Sequence, residues 1–268
     1  NPFTKPQYLL LNLAIGGING GPVDETVFPM KYEIDYVRVY QKEKKIVSGK
    51  VWRDMEGNVI NAHGGGILFH QGIYYWFGEH RPESGFVTEK GVSCYSSVDL
   101  CKWKPEGIVL AVSGKKGDDI EQGCIMERPK VIYNEKTGKF VMWFHLEKKG
   151  KGYSSAYAAV AVSDSPTGPY RFIRSGRVNP GIYPLNMTEK DKRIKWDFSE
   201  YKEWWTPGWY NAIEKGLFVR RDLEGGQMSR DMTLFVDDDG KAYMIFAYAG
   251  SRAGVKHRLM VVEIDPDC

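Results

Sequence analysis

Residues 64–79 read "GGGILFHQGIYYWFGE". An apolar run leads into a short polar turn, and the turn leads into an aromatic-rich run, which is the signature of a β-hairpin. The same unit returns as "RPKVIYNEKTGKFVMWFH" at 128–145 and as "DMTLFVDDDGKAYMIFAY" at 231–248. Each hairpin is followed by a third strand pattern: "GVSCYSSVDL", "AAVAVSDSPTGPY" and "RLMVVEIDPD". A fixed supersecondary unit that recurs predicts a radial or solenoid array. Four-stranded units led by a strong hairpin predict propeller blades, so the fold class expected is all-β. A parallel α/β fold would need alternating long helical patterns. Only "DFSEYKEWWTPGWYNAIEKGLF" (197–218) looks partly helical, and it falls in an insertion at about 175–228 between the second and third units. The "DDDG" at 237–240 invites a calcium reading, but Phe235 stands where an EF-hand loop needs its first acid, and the turn reading is preferred.

The 268 residues suit one large domain or two smaller ones. Aromatics make up 13% of the chain, with eight Trp and 16 Tyr, which suits β-structure or a surface that grips flat ligands. The formal net charge is only +3 and no basic stripe stands out, which argues against nucleic acid as a partner. No apolar run is long enough to insert into a bilayer. Four cysteines, Cys94, Cys101, Cys124 and Cys268, lack metal-ligand spacing. Cys94 and Cys101 could pair in an oxidising compartment; buried or free thiols are the plainer reading. The first residue is Asn and the chain reads as cut from something longer, so the missing signal peptide says nothing about export.

In a propeller the first strand of each blade lines a central channel. The repeat phasing then places "NAHGGG" (61–66), "MERPK" (126–130) and "SRDMT" (229–233) at one mouth. Their polar residues are His63, Glu127, Arg128, Ser229, Arg230 and Asp231. Carboxylates that converge in a cleft point to glycoside chemistry, where paired acids flank the scissile bond. An esterase would also use an HGGG loop, as an oxyanion hole, but only beside a G-x-S-x-G elbow, and the sequence has none. A structural reading of the glycines, as sites of close backbone packing, covers one or two of them. His63 is poised to donate to a hydroxyl or a water, and a purely structural role is equally open.

Two family resemblances enter here. Residues 1–41, with "QYLLLNLAIGG" and the alternating "KYEIDYVRVYQ", read as two strands and resemble the C-terminal end of a family 16 glycoside hydrolase, a laminarinase-like β-sandwich. The acidic catalytic motif of that family is absent, and 42–50 read as a charged linker. The segment is expected to stand outside the propeller and to contribute no catalytic group. From about Val51 to Tyr243 the strings "NAHGGGILFHQGIYYWFGEHR", "ERPKVIYNEKTGKFVMWFH", "YSSAYAAVAVSDSPTGPY" and "SRDMTLFVDDDGKAY" resemble the exo-β-1,3-galactanase branch of glycoside hydrolase family 43.

That second resemblance implies a five-bladed β-propeller over 51–268, here incomplete at about three blades, and an inverting mechanism. It implies that Asp231 is the carboxylate that tunes the general acid and that Glu127 contacts the terminal galactose; these two are the candidate catalytic residues. Glu79 matches a second sugar-binding acid and Tyr153 an aromatic that stacks on the sugar. Gly64 would let the channel floor approach the sugar, and His63, Arg128, Arg230 and Trp76 are further candidate contacts. The blade-one position offers no Asp base, as is typical of the branch. A motif such as "REAPAMFK", which carries the blade-four acid in the family, does not occur, so the general acid is unassigned.

The expected substrate is therefore β-1,3-galactan or arabinogalactan side chains, as polysaccharide or oligosaccharide, and the chain as it stands is expected to bind weakly and not to turn over. A non-catalytic carbohydrate-binding propeller, or a family 43 enzyme for arabinan, xylan or galactofuranosides, is the alternative. No cofactor or metal is expected, with a structural calcium left open. The expected location is extracellular or periplasmic. Trp204, Trp205 and Trp209 of the insertion either wall the pocket or belong to a helical flap on the propeller's side.

Overall fold

The computed structural model describes residues 22–23, 25–29, 31–37, 46–47, 49–193, 195, 203, 206–248 and 259–265. The chain divides into two compact units, Asn1–Lys45 and Ile46–Cys268. In the first, a 3-10 turn spans Glu25–Val27. The strand expected over 31–41 is not formed where it is described: 31–37 have no regular structure, and Tyr32, Ile34 and Tyr36 are exposed. Alternation alone does not make a strand; it needs a partner edge and a face to bury. The strand expected at 7–17 lies outside the described residues.

The second unit is built from antiparallel sheets. Strands β1 (His63–His70), β2 (Ile73–His80), β3 (Gly91–Ser97) and β4 (Lys104–Ala111) form one four-stranded sheet in chain order. A second four-stranded sheet holds β5 (Ile125–Asn134), β6 (Lys139–Glu147), β7 (Tyr157–Ser163) and β8 (Arg171–Gly176). A third contains β9 (Met232–Val236), β10 (Ala242–Ala247) and β11 (Leu259–Ile264) among the described residues. Each expected hairpin is present, with the turn its sequence dictates. Gln71 and Gly72 both have positive φ, so β1 and β2 are joined by the two-residue primed turn whose twist matches the strands. Between β5 and β6 the Asn134 side chain accepts from the Lys136 and Thr137 amides, and Gly138 has φ 66°. "DDDG" closes the third hairpin through Gly240 N–H donating to the Asp237 carbonyl at 2.9 Å, with φ 81° at Gly240.

Period-two alternation sends Tyr75, Phe77 and Glu79 of β2 to one face and Tyr74 and Trp76 to the other. The first face meets the second sheet: Phe77, Val92 and Cys94 pack with Met126, Met142, Phe144 and Ala159 in one core. The other face carries a separate aromatic cluster in which Trp76 lies 5.3 Å from both Trp52 and Trp103, centroid to centroid. The first strands of the three sheets run beside one another, β1 next to β5 and β5 next to β9. Cys94 and Cys124 are buried free thiols, and Cys101 is free and half-buried.

The insertion is helical. Short α1 (Glu189–Lys192) precedes α2 (Pro207–Glu214) and α3 (Leu217–Arg221). Thr206 caps α2 by accepting from the Trp209 amide, Pro207 takes the first helical position, and Gly216, with φ 67°, lets the chain turn into α3. Trp209, Ile213, Leu217 and Phe218 form a core with Met232, Met244 and Phe246 of the third sheet. Trp209 is thus a packing residue of a helical flap and not an open wall; Trp204 and Trp205 lie outside the described residues. No helix among the described residues is long and apolar enough to cross a membrane, which says nothing about spanning by strands.

Candidate active site

The first two sheets place acid and imidazole across from each other in mirrored order. His63 of β1 pairs in register with Glu79 of β2, and Glu127 of β5 pairs with His145 of β6. In both sheets the first strand bulges just after its site residue, between His63 and Gly66 and between Glu127 and Lys130. Gly64 and Arg128 each take φ 57° inside the bulge. Glycine adopts that conformation freely, whereas Arg128 stores roughly 1–2 kcal/mol of backbone strain. In return the Arg128 side chain is aimed out of the sheet, and its Nε donates to Asp231 Oδ1 at 2.9 Å. Lys130 ties the two bulges together by donating to the carbonyls of Gly64 (3.2 Å) and Gly65 (2.9 Å). Burial, helped by the Arg128 charge and opposed by Asp231, brings the Lys130 ammonium down to about 8.

Between the bulges runs a chain of charge-assisted hydrogen bonds. The Glu79 side chain is fully buried. It accepts from Thr88 Oγ1 at 2.5 Å and from Arg81 Nε at 2.6 Å. Arg81 reaches on with Nη2 to Glu127 Oε1 at 2.6 Å, and the Tyr153 hydroxyl donates to the same oxygen at 3.1 Å. On its other side Glu127 Oε2 lies 3.3 Å from His145 Nδ1, misaligned for a good hydrogen bond but close enough for strong attraction. His145 Nε2 lies 2.9 Å from Glu147 Oε1, and Glu147 Oε2 accepts from the Ala156 amide at 3.0 Å.

These contacts set the charges. Burial alone would raise Glu127, but His145, Tyr153 and Arg81 overcome it and hold the carboxyl down to about 2. Burial likewise opposes the charged form of His145, and the flanking Glu127 and Glu147 override it, so its pKa is raised. Glu79 is shifted upward by burial despite Thr88 and Arg81. Tyr153 is pushed up to about 12 by burial and the Glu127 charge, which keeps it a donor. Burial and the cations Arg81 and Arg128 lower His63, so at neutral pH it is an uncharged imidazole.

Solved structures resemble this chain in sequence and fold. A GH43 β-1,3-galactosidase solved with galactodeoxynojirimycin is 72% identical, with a TM-score of 0.76, over 83% of this chain and 63% of its own. The similarity is to glycoside hydrolase family 43. The exo-β-1,3-galactanase of Clostridium thermocellum is 37% identical (TM-score 0.60) over 83% of this chain and 38% of its own. That of Phanerochaete chrysosporium, solved with galactose, is 30% identical (TM-score 0.57) over 83% of this chain and 39% of its own. The chain therefore spans less than two thirds of the length of each of these family 43 proteins. No protein-family profile matches the sequence. Among curated proteins, a β-glucanase of Rhodothermus marinus is 48% identical over 42 residues, 15% of either chain, which does not establish the family 16 origin expected for residues 1–41.

Of the residues singled out from the sequence, His63, Glu79, Glu127 and Tyr153 join one network through Arg81. Gly64, Arg128 and Asp231 adjoin it, and Arg230 donates to the Tyr153 carbonyl with its guanidinium 5.8 Å from the Tyr153 ring centre. Two placements need correction. Trp76 is on the opposite face of its sheet, inside the aromatic cluster, because it differs from Glu79 by an odd number of positions along β2. Glu79 does not emerge at the strand end: its side chain has no exposed surface and holds Arg81 and Thr88. Sequence reasoning passed over Arg81, Thr88, His145 and Glu147. A signal existed for three of them, since Glu79-x-Arg81 and His145-x-Glu147 are same-face pairs at equivalent strand ends. Thr88 comes from a connecting loop and has none.

Thr88 is a direct test of the network. It is buried, donates to Glu79 and accepts from the Met126 amide at 2.7 Å. The isosteric Thr88→Val leaves both groups unpaired and is expected to destabilise the protein by roughly 2 kcal/mol or more, read as a lower urea midpoint, whereas Thr88→Ser keeps most of the stability. An unchanged midpoint for Thr88→Val would remove Thr88 from the network's support.

Proposed function

We propose that the second unit is the sugar-binding part of an exo-acting β-1,3-galactan hydrolase of family 43, built on a five-bladed propeller framework, exported, and working by inversion. One observation carries this reading: Glu127, held ionised and partly exposed, is bonded to Arg81 from the end of β2 and to the exposed Tyr153 of the β6–β7 connection, next to Arg128 and Asp231 at the starts of β5 and β9. Galactose has an axial hydroxyl and one apolar C–H face. A partly exposed tyrosine can cover that face while a carboxylate and guanidinium groups bind the hydroxyls. The galactosidase and galactanases that the chain resembles act on such sugars, which supports the same class here.

The chemistry limits the role of each acid. Inverting hydrolysis needs one carboxylic acid to protonate the leaving oxygen and a water activated on the far side of the ring. A group held down to about 2 is a poor proton donor at neutral pH, so Glu127 acts as an acceptor for sugar hydroxyls. Glu79, although shifted upward, is sealed from substrate. Asp231, exposed and paired with Arg128, orients groups at the rim. The same facts favour the second reading, a binding propeller without turnover, for the 268 residues alone.

The test incubates the chain with β-1,3-galactan and follows free galactose and its anomer by proton NMR. The expected result is galactose binding without appreciable release. Robust turnover abolished by Glu127→Gln or Asp231→Asn would make one of these residues the proton donor and overturn the assignment.

A further inference from the structure

Behind Tyr153 lies a second recess. The β6–β7 connection presents Tyr153 to Glu127, and its next residues, Ser154 and Ser155, turn the other way and line a cleft of about 440 Å³, within the range of small-ligand pockets, roughly 300–1,000 Å³. The cleft's remaining wall comes from the end of the second sheet and from the segment after α3. Four cations line it, Lys148, Lys151, Arg177 and Arg221, against one carboxylate, Asp222. Lys148 is paired with Asp119 and Arg221 with Asp222. Lys151 and Arg177 have no carboxylate within ion-pair distance among the described residues.

Arg177 is only partly exposed and donates to the Ser154 carbonyl at 2.7 Å. Burial and then the neighbouring Arg221 disfavour its charge, with Asp222 partly compensating. Gly226 leaves room for this arginine: a β-carbon there would come within 2.6 Å of Arg177 Cβ, and φ at Gly226 is 87°. A half-buried guanidinium with no carboxylate at ion-pair distance, in a cleft lined by four cations and one carboxylate, favours an anion. Tyr157 supplies an aromatic wall, and Ser154 and Ser155 supply hydroxyls. A ring and an oxyanion together fit this lining better than a bare ion does.

We propose that this cleft binds an acidic sugar, its carboxylate or sulfate against Arg177 and Lys151 and its ring against Tyr157. The cleft is one loop away from Tyr153, so, if the galactoside reading holds, it would take an acidic branch of the same glycan; the binding itself does not depend on that reading.

Isothermal titration at low salt with glucuronate, glucose 6-sulfate, glucose and inorganic sulfate tests this, and the two acidic sugars separate carboxylate from sulfate recognition. At least one of them is expected to bind about tenfold tighter than glucose. Lys151→Gln, a change at an exposed side chain, and Arg177→Gln should each cut that affinity about tenfold, with galactose affinity unchanged in Lys151→Gln. Equal binding of glucose, wild-type affinity in both variants, or inorganic sulfate binding as tightly as glucose 6-sulfate would overturn the proposal. Acidic-sugar binding that persists when galactose fails to bind would sustain the cleft and sink the galactoside reading alone.

Discussion

Glu127→Gln is expected to lower galactose affinity by one to two orders of magnitude, because a charge-assisted hydrogen bond contributes roughly 1.5–3 kcal/mol. Gln keeps the shape and one acceptor, but its amide group must then face a donor, Arg81, Tyr153 or His145. The same variant should change the acid limb of stability. Glu127 has its folded pKa depressed from 4.5 to about 2. Its contribution is therefore present above the unfolded value and is lost as pH falls from about 4.5 through about 2. Wild-type stability should drop across that window, and Glu127→Gln, less stable at neutral pH, should lose less there. Urea midpoints measured from pH 6 to pH 2 decide it; parallel curves for the two proteins would mean that Glu127 is not held ionised by these partners.

The second large effect is predicted for Gly65→Ala. A β-carbon at Gly65 would sit 1.7 Å from the Phe77 carbonyl oxygen and 2.8 Å from its carbon, both backbone atoms of β2. No rotamer change relieves that contact, so β1 must separate from β2 at the bulge. The expected cost is about 3 kcal/mol or more, a fall in melting temperature on the order of 10 °C for a chain of this size. Galactose binding should fail with it, since the same bulge sets Gly64 against Arg128. Gly64→Ala is the contrast: its nearest neighbour would be the flexible Arg128 side chain at 3.4 Å, and only the positive φ opposes it, at about 1–2 kcal/mol. Similar melting temperatures for the two variants would show that conformation, not space, is what these glycines provide.

The three hairpins were legible in the sequence because their information is local. Alternation, aromatic content and turn residues such as Gln71-Gly72 and Asn134 act within a few positions of where they are written. Repeat phasing likewise placed His63, Glu127 and Asp231 at equivalent strand starts, and the reading of one or two of glycines 64–66 as sites of close backbone packing applies to Gly65. Local alternation failed at 31–37, where no strand forms.

What the sequence by itself determined is the unit of construction and the chemical character of the strand ends. Only the tertiary structure decided which polar groups are exposed and which are ionised. Arg81 bridging two carboxylates from different sheets, Thr88 closing over Glu79 and His145 held between Glu127 and Glu147 all depend on how two sheets pack. That packing turned Glu79 from an expected sugar contact into a buried support and Trp76 into core, and it made Glu127 a firm anion. The physical reason is that burial and the distance between charges are properties of the folded pair of sheets, and no single strand contains them.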